Sequence, residues 1–129
     1  MEIEPMCDEI IKGNCHCGAV SFSYVGRPEW LVVCNCSICR RLRPLLAHGT
    51  SDNIAIHAAE GATLSYVQGD KSLAYHSCKN CGCTTHWASI RDESPRNMAV
   101  NMALADPLDI ADIPVRHFDG ADRWQFLDV

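Results

Sequence analysis

The chain has 129 residues, 47% hydrophobic and 21% charged, with a formal net charge of −5. That suits a single globular domain with a sizeable core. It holds no apolar run near the roughly 20 residues of a membrane span, and its acidic balance argues against nucleic acid as a partner. Residues 1–12 lack a basic start followed by a long apolar stretch, so a secretory signal is not expected. The expected compartment is a reducing cytoplasm, where clustered cysteines bind metal more often than they pair as disulfides.

The apolar periodicity is mostly two. Val20, Phe22 and Tyr24 alternate with Ser21 and Ser23, which predicts a half-buried strand. Residues 30–34 form a short apolar run, and 37–42 have room for a turn or two of helix. Residues 54–56 and 64–67 are two further candidate strands, followed by turn chemistry at Gln68-Gly69-Asp70. Strands continue at 73–77, 84–88 and 97–102, where Met98 and Met102 are expected as same-face packing residues. Asp106 and Pro107 supply an N-cap and a first helical residue for a short helix over 107–113. Asp119-Gly120 predicts a turn before a last strand. Trp30, Trp87 and Trp124 are expected in the core or along its edge. The fold class is therefore mainly β, with little helix.

Seven of the nine cysteines fall into three groups: Cys15-His16-Cys17-Gly18, Cys34-Asn35-Cys36-Ser37-Ile38-Cys39 and Cys78-Lys79-Asn80-Cys81-Gly82. One four-cysteine site can close, which leaves three thiols for a second metal. Zinc with three protein ligands keeps a position open for water or substrate. In a flat strand, residues i and i+2 stand too far apart for one tetrahedron, so a C-x-C pair needs a curled backbone. Gly18 and Gly82 offer the positive φ that such knuckles use. Pairing Cys78 and Cys81 with Cys15 and Cys17 would tie the first strand to one some sixty residues later, and binding energy would become folding energy.

Cys34, Cys36 and Cys39 put three potential ligands into one short loop. A fourth comes either from outside the protein or from Cys83, Cys7, His48, His57, His76 or His86, with Cys83 the strongest of these. His16 is expected to pack near a metal site without ligating. Arg40, Arg41 and Arg43 follow directly, either as counter-charge in a solvated turn or as an anchor for a substrate carboxylate.

Gly13-Asn14-Cys15-His16-Cys17-Gly18-Ala19-Val20-Ser21-Phe22 resembles the opening motif of the glutathione-dependent formaldehyde-activating enzyme family, which includes the centromere protein V domain. Cys34-Asn35-Cys36-Ser37-Ile38-Cys39-Arg40-Arg41 resembles its second motif. Cys78-x-x-Cys81-Gly82, with Trp87 following, resembles its third. Asp119-Gly120-Ala121-Asp122-Arg123-Trp124 is similar to a common C-terminal ending. Two positions depart from the pattern: Cys83 sits where a hydroxyl residue is common, and Asn101-Met102-Ala103 lacks an arginine that many members carry after the asparagine.

The resemblance implies a zinc-containing β-tent of short antiparallel sheets, with residues 1–12 as an N-terminal extension and 13–129 as a single zinc domain. It implies two Zn²⁺ per chain. Cys15, Cys17, Cys78 and Cys81 would hold a structural ion, and Cys34, Cys36 and Cys39 a catalytic one. The implied activity is that of a carbon–sulfur lyase acting on a thiol/aldehyde adduct such as S-hydroxymethylglutathione, with glutathione as co-substrate. Arg40 and Arg41 are the expected substrate contacts, and His48 is the candidate general base. The partners would be small thiols or aldehydes, without nucleic acid or membrane, and the oligomeric state stays open. The competing reading is a non-enzymatic zinc-binding interaction module with both sites structural.

Overall fold

The computed structural model describes residues 9–69 and 72–128. Among these residues, eleven strands and two short α-helices make it mainly β. A three-stranded sheet has the order β1 (Ile10–Asn14), β2 (Val20–Val25), β5 (Ile54–Ala58). A second sheet of eight strands comprises β3 (Leu31–Cys34), β4 (Leu46–Thr50), β6 (Thr63–Val67), β7 (Leu73–Cys78), β8 (Thr84–Ser89), β9 (Asn97–Asn101), β10 (Val115–Asp119) and β11 (Gln125–Phe126). Its order is β11-β10-β3-β4-β9-β8-β7-β6. The helices are α1 (Ser37–Leu42) and α2 (Pro107–Ile110), and a 3-10 turn spans Met102–Leu104. Among the described residues, no helix is long and apolar enough to cross a membrane.

The period-two pattern sorts the large sheet into two working faces. Leu31, Ala47, Met98 and Val100 point one way and meet Ile11, Phe22, Tyr24 and Ile54 of the small sheet. This is the core between the two layers, and each Val, Leu, Ile, Met or Phe side chain removed from water there contributes about 1.5–3 kcal/mol. Val32, Leu46, Tyr75 and Ala99 point the other way, and there Cys39 packs among them. The second face, flanked by Trp30, Trp87, Phe118 and Phe126, carries the second cysteine group.

Several elements lie where alternation places them, and the differences have physical causes. β1 begins at Ile10 and pairs Ile10 with Val25, so the sheet starts ahead of the Gly13 motif boundary. One pairing departs from the antiparallel expectation: β10 runs parallel to β3, matching Val115 with Leu31 and Phe118 with Cys34. The side chain of Asp106 accepts from Leu108 N–H at 2.9 Å and opens α2 with Pro107 in its first turn, as the cap signal predicts. Met98 and Met102 are both buried, although Met102 lies in the 3-10 turn rather than in a strand. Trp124 differs from a core residue, being 72% exposed with a left-handed φ of 57°. It sits edge-on to Phe118, with ring centroids 5.1 Å apart. The residues Asp70 and Cys7 of the turn and ligand expectations lie outside the described residues.

Candidate metal centres

The first group forms where two turns meet. Gly18 at φ 84° and Gly82 at φ 82° take the conformation that the knuckles require. Cys15 lies 3.7 Å from Cys17, sulfur to sulfur, and Cys17 lies 3.6 Å from Cys78. A tetrahedron with zinc–sulfur bonds of about 2.3 Å has sulfur–sulfur edges of about 3.8 Å, so the spacing fits a four-thiolate ion. Cys81 completes the set, with all four sulfurs within 4.8 Å of one another. Backbone N–H groups already aim at the sulfurs, from Val20 to Cys15 at 3.3 Å and from Asn80 to Cys78 at 3.4 Å. Such donors favour the thiolate over the thiol. The backbone N–H of Cys83, with further hydrogen bonds, holds Cys81 down at about 5.

Cys83 therefore belongs to the neighbourhood of the first group. It packs against Cys15, Val20 and Cys78, and its carbonyl accepts from Cys78 N–H at 2.9 Å. This removes the strongest chain candidate for a fourth ligand at the second group. His57 bonds Ser23 on the small sheet, and His76 stacks on His86 at 4.5 Å between β7 and β8. His16 is exposed beside Cys15 and Cys17.

The second group is built by the end of β3 and the start of α1. Cys34 closes β3, Cys36 is the extended N-cap residue, and Cys39 lies inside the helix. Arg40 N–H donates to Cys36 O at 2.8 Å, and Arg43, at φ 57°, ends the helix by donating to Cys39 O at 2.7 Å. Arg40 and Arg41 occupy the last turn, where cations suit the helix dipole. The three sulfurs lie within 4.8 Å of one another, and no further His, Cys, Asp or Glu among the described residues joins them.

Cys34 and Cys39 differ in acidity. The hydrogen bond from Cys39, helped by donors around Cys36 and Gly120 and opposed by burial, brings Cys34 down to about 5. The same bond, followed by burial, pushes Cys39 well above its ordinary value. Tyr75 hydroxyl stands 2.8 Å from Cys39 Sγ, and burial first, then that sulfur, pushes the phenol upward.

These sulfurs border a cleft of about 1230 Å³. Trp30, Trp87, Phe118, Trp124 and Phe126 wall it, while Arg40, His48, Arg91 and Glu93 bring polar groups to it. His48 is open to solvent within the cleft but ringed by protein, and this partial desolvation lowers its pKa. It meets Trp87 edge-on at 5.7 Å. Arg41 instead donates to Ser37 O at 2.7 Å and borders a separate small hollow with Tyr66 and Gln68.

The C-terminal turn locks onto the cysteine loop. Asn35 donates to Asp119 at 3.2 Å and accepts from Ala121 N–H at 3.0 Å. Asp119 also accepts from Arg123 Nε at 3.2 Å and from two backbone N–H groups. Burial raises its pKa, but these bonds outweigh it and the net shift is downward. Tyr75, Asn35 and Gly120 are neighbours of the second cysteine group that the cysteine pattern alone did not expose. Asn35 lay inside the second motif and Gly120 inside the C-terminal ending, which were the available signals.

The fold and its sites define a class: a mainly β domain with two cysteine clusters compatible with zinc, one four-sulfur and one three-sulfur beside a cleft. The chain belongs to the glutathione-dependent formaldehyde-activating enzyme family, whose model matches residues 10–118. A Halomonas elongata protein, provisionally named a glutathione-dependent formaldehyde-activating enzyme, is 31% identical over 81 residues. That match covers 56% of this chain and 52% of the relative, so this chain spans about half of the relative's length. The crystal structure of a Rhodobacter sphaeroides protein superposes with a TM-score of 0.64 at 27% identity, covering 81% of this chain and 99% of that one.

Proposed function

We propose that this chain is an enzyme that makes and breaks the carbon–sulfur bond between a thiol and an aldehyde, of the glutathione–formaldehyde type. The observation that carries this reading is the convergence of Cys34, Cys36 and Cys39 at a cleft of about 1230 Å³, with no fourth His, Cys, Asp or Glu joining them among the described residues. Cys15, Cys17, Cys78 and Cys81 would hold a structural zinc, and the three-thiol group a catalytic one. Zinc bound there would polarise an aldehyde oxygen or lower the pKa of a substrate thiol.

The chain's own groups do the rest. In the forward direction the substrate sulfur bonds to the aldehyde carbon, and the carbonyl electron pair moves to oxygen. The proton lost by the thiol ends on that oxygen. His48, whose pKa is lowered, is neutral at pH 7 and can take the proton from the thiol and return it to the oxygen. Three thiolates leave a divalent ion with a net charge of −1, and Arg40 at the cleft can offset a further anionic sulfur. The aromatic walls offer the adduct apolar surface. Thiol-dependent sites of this kind suit a reducing compartment.

The test is exchange spectroscopy of ¹³C-formaldehyde with glutathione in the presence of the zinc-loaded protein. Faster formation of S-hydroxymethylglutathione, abolished in Cys36→Ser with the first zinc retained, is expected. Two bound zinc ions without any acceleration would overturn the enzyme reading and favour an interaction module.

A further inference from the structure

Tyr75 belongs to no cysteine motif, yet its hydroxyl reaches the second cysteine group from β7, the strand next to the β6 edge of the large sheet. Tyr75 pairs with Trp87 on β8 and Tyr66 on β6, so its backbone is fixed on both sides. Its side chain is 6% exposed and Cys39 is 2% exposed. The oxygen–sulfur distance is 2.8 Å. A phenol ordinarily titrates near 10, so at neutral pH it carries its proton. A metal-bound thiolate has no proton to give. The hydrogen bond therefore runs from Tyr75 O–H to Cys39 Sγ whenever the group holds a metal.

We infer that Tyr75 is a positioning residue for the three-thiol centre, which orients Cys39 and withdraws charge from its sulfur. This rests on the reading of Cys34, Cys36 and Cys39 as a metal site. Three thiolates overcompensate a divalent ion, and the resulting charge weakens it as a Lewis acid. A hydrogen bond to one sulfur draws off part of that charge, and a buried bond does so more strongly than one in water. The choice of Cys39 also has a mechanical side. Its helix, α1, has only six residues, and so short a helix has little rigidity of its own. The bond to β7 ties it to the sheet at the ligand itself. Cys34 is held differently, by the backbone N–H groups of Cys36 and Gly120.

The experiment uses the full chain loaded with cobalt(II), whose sulfur-to-metal charge-transfer absorption reports electron density on each ligand. The second-site component is the part of the spectrum lost in Cys36→Ser. In Tyr75→Phe, which keeps the ring and loses the donor, this component should move to longer wavelength while cobalt stoichiometry stays at two. Thiol–aldehyde exchange in the zinc-loaded variant should fall about 10–100-fold, the usual cost of losing a hydrogen bond to a ligand. Replacing Tyr75 with 3-fluorotyrosine, a stronger donor, should shift the band the opposite way and covers the case of a poorly folded phenylalanine variant. A band that stays in place in every folded Tyr75 variant overturns the inference and leaves the metal site standing. A wild-type protein with no Cys36-dependent cobalt band overturns both the inference and the site reading beneath it.

Discussion

A Cβ built on Gly120 would stand 2.6 Å from Cys34 Sγ and 3.3 Å from Cys36 Cβ. The glycine is required by space, because the second cysteine group occupies the volume that any side chain there would need. Gly120→Ala must displace the Cys34 sulfur or the turn that carries the residue. Overpacking of this kind costs roughly 1–3 kcal/mol, or on the order of 10–100-fold in affinity for the second metal. In zinc buffered by a competing chelator at a level that keeps wild type at two ions, the zinc stoichiometry of the variant by native mass spectrometry should fall to one. A variant that keeps two equally tight ions would refute the steric account.

Asn35 couples the cysteine loop to that turn, through its bonds to Asp119 and Ala121. Asn35→Asp removes the donor and sets a second carboxylate beside a buried one. The loss should exceed that of Asn35→Ala, which only deletes the bonds at about 1–3 kcal/mol. Limited proteolysis should open the segment 120–128 in the aspartate variant first, with weaker second-site zinc. Equal protease resistance in both variants and wild type would count against the lock.

Much of this arrangement is visible in the linear chain. The thiol spacings single out both clusters, and the alternation around Val20, Phe22 and Tyr24 gives β2 its buried face. What the spacing could not place was anything set by long-range pairing. Tyr75 reaches Cys39 only because β7 lies three strands from β4 in the large sheet, and Asp119 reaches Asn35 only because β10 runs parallel to β3. Cys83 looked free to serve the second cluster, but its place after the Cys81 knuckle binds it to the first. Such contacts depend on strand order, which local periodicity does not encode.

His86 makes stability depend on pH. Burial first, then the neighbouring His76, lowers its pKa from 6.5 to about 4. The folded protein therefore keeps it neutral while the unfolded chain takes up a proton below pH 6.5. Stability is undiminished above that value and falls as pH drops towards 4. The loss attributable to His86 between pH 7.5 and 5 is about 2 kcal/mol. Urea midpoints for wild type and His86→Gln at both pH values isolate this part, since acid release of metal is common to the two proteins. Parallel losses in both would show that His86 does not titrate as described.

The two clusters should respond differently to loss of a ligand. Cys17 and Cys78 are 61 residues apart in sequence, so a metal held by the first cluster would close a long loop and pin β1 and β2 to β7 and β8. By the loop-closure reasoning used for a disulfide of that span, this link restricts the unfolded chain by on the order of 4 kcal/mol. The second cluster spans only Cys34 to Cys39 and closes almost nothing. Cys78→Ser should therefore lower the melting temperature steeply or prevent folding, and Cys36→Ser should leave it near wild type. A chelator titration followed by circular dichroism should show the same order, with one ion leaving before any strand signal is lost and the second leaving together with the fold. If both ions left ahead of unfolding, the first cluster would not be the staple that its loop length makes it.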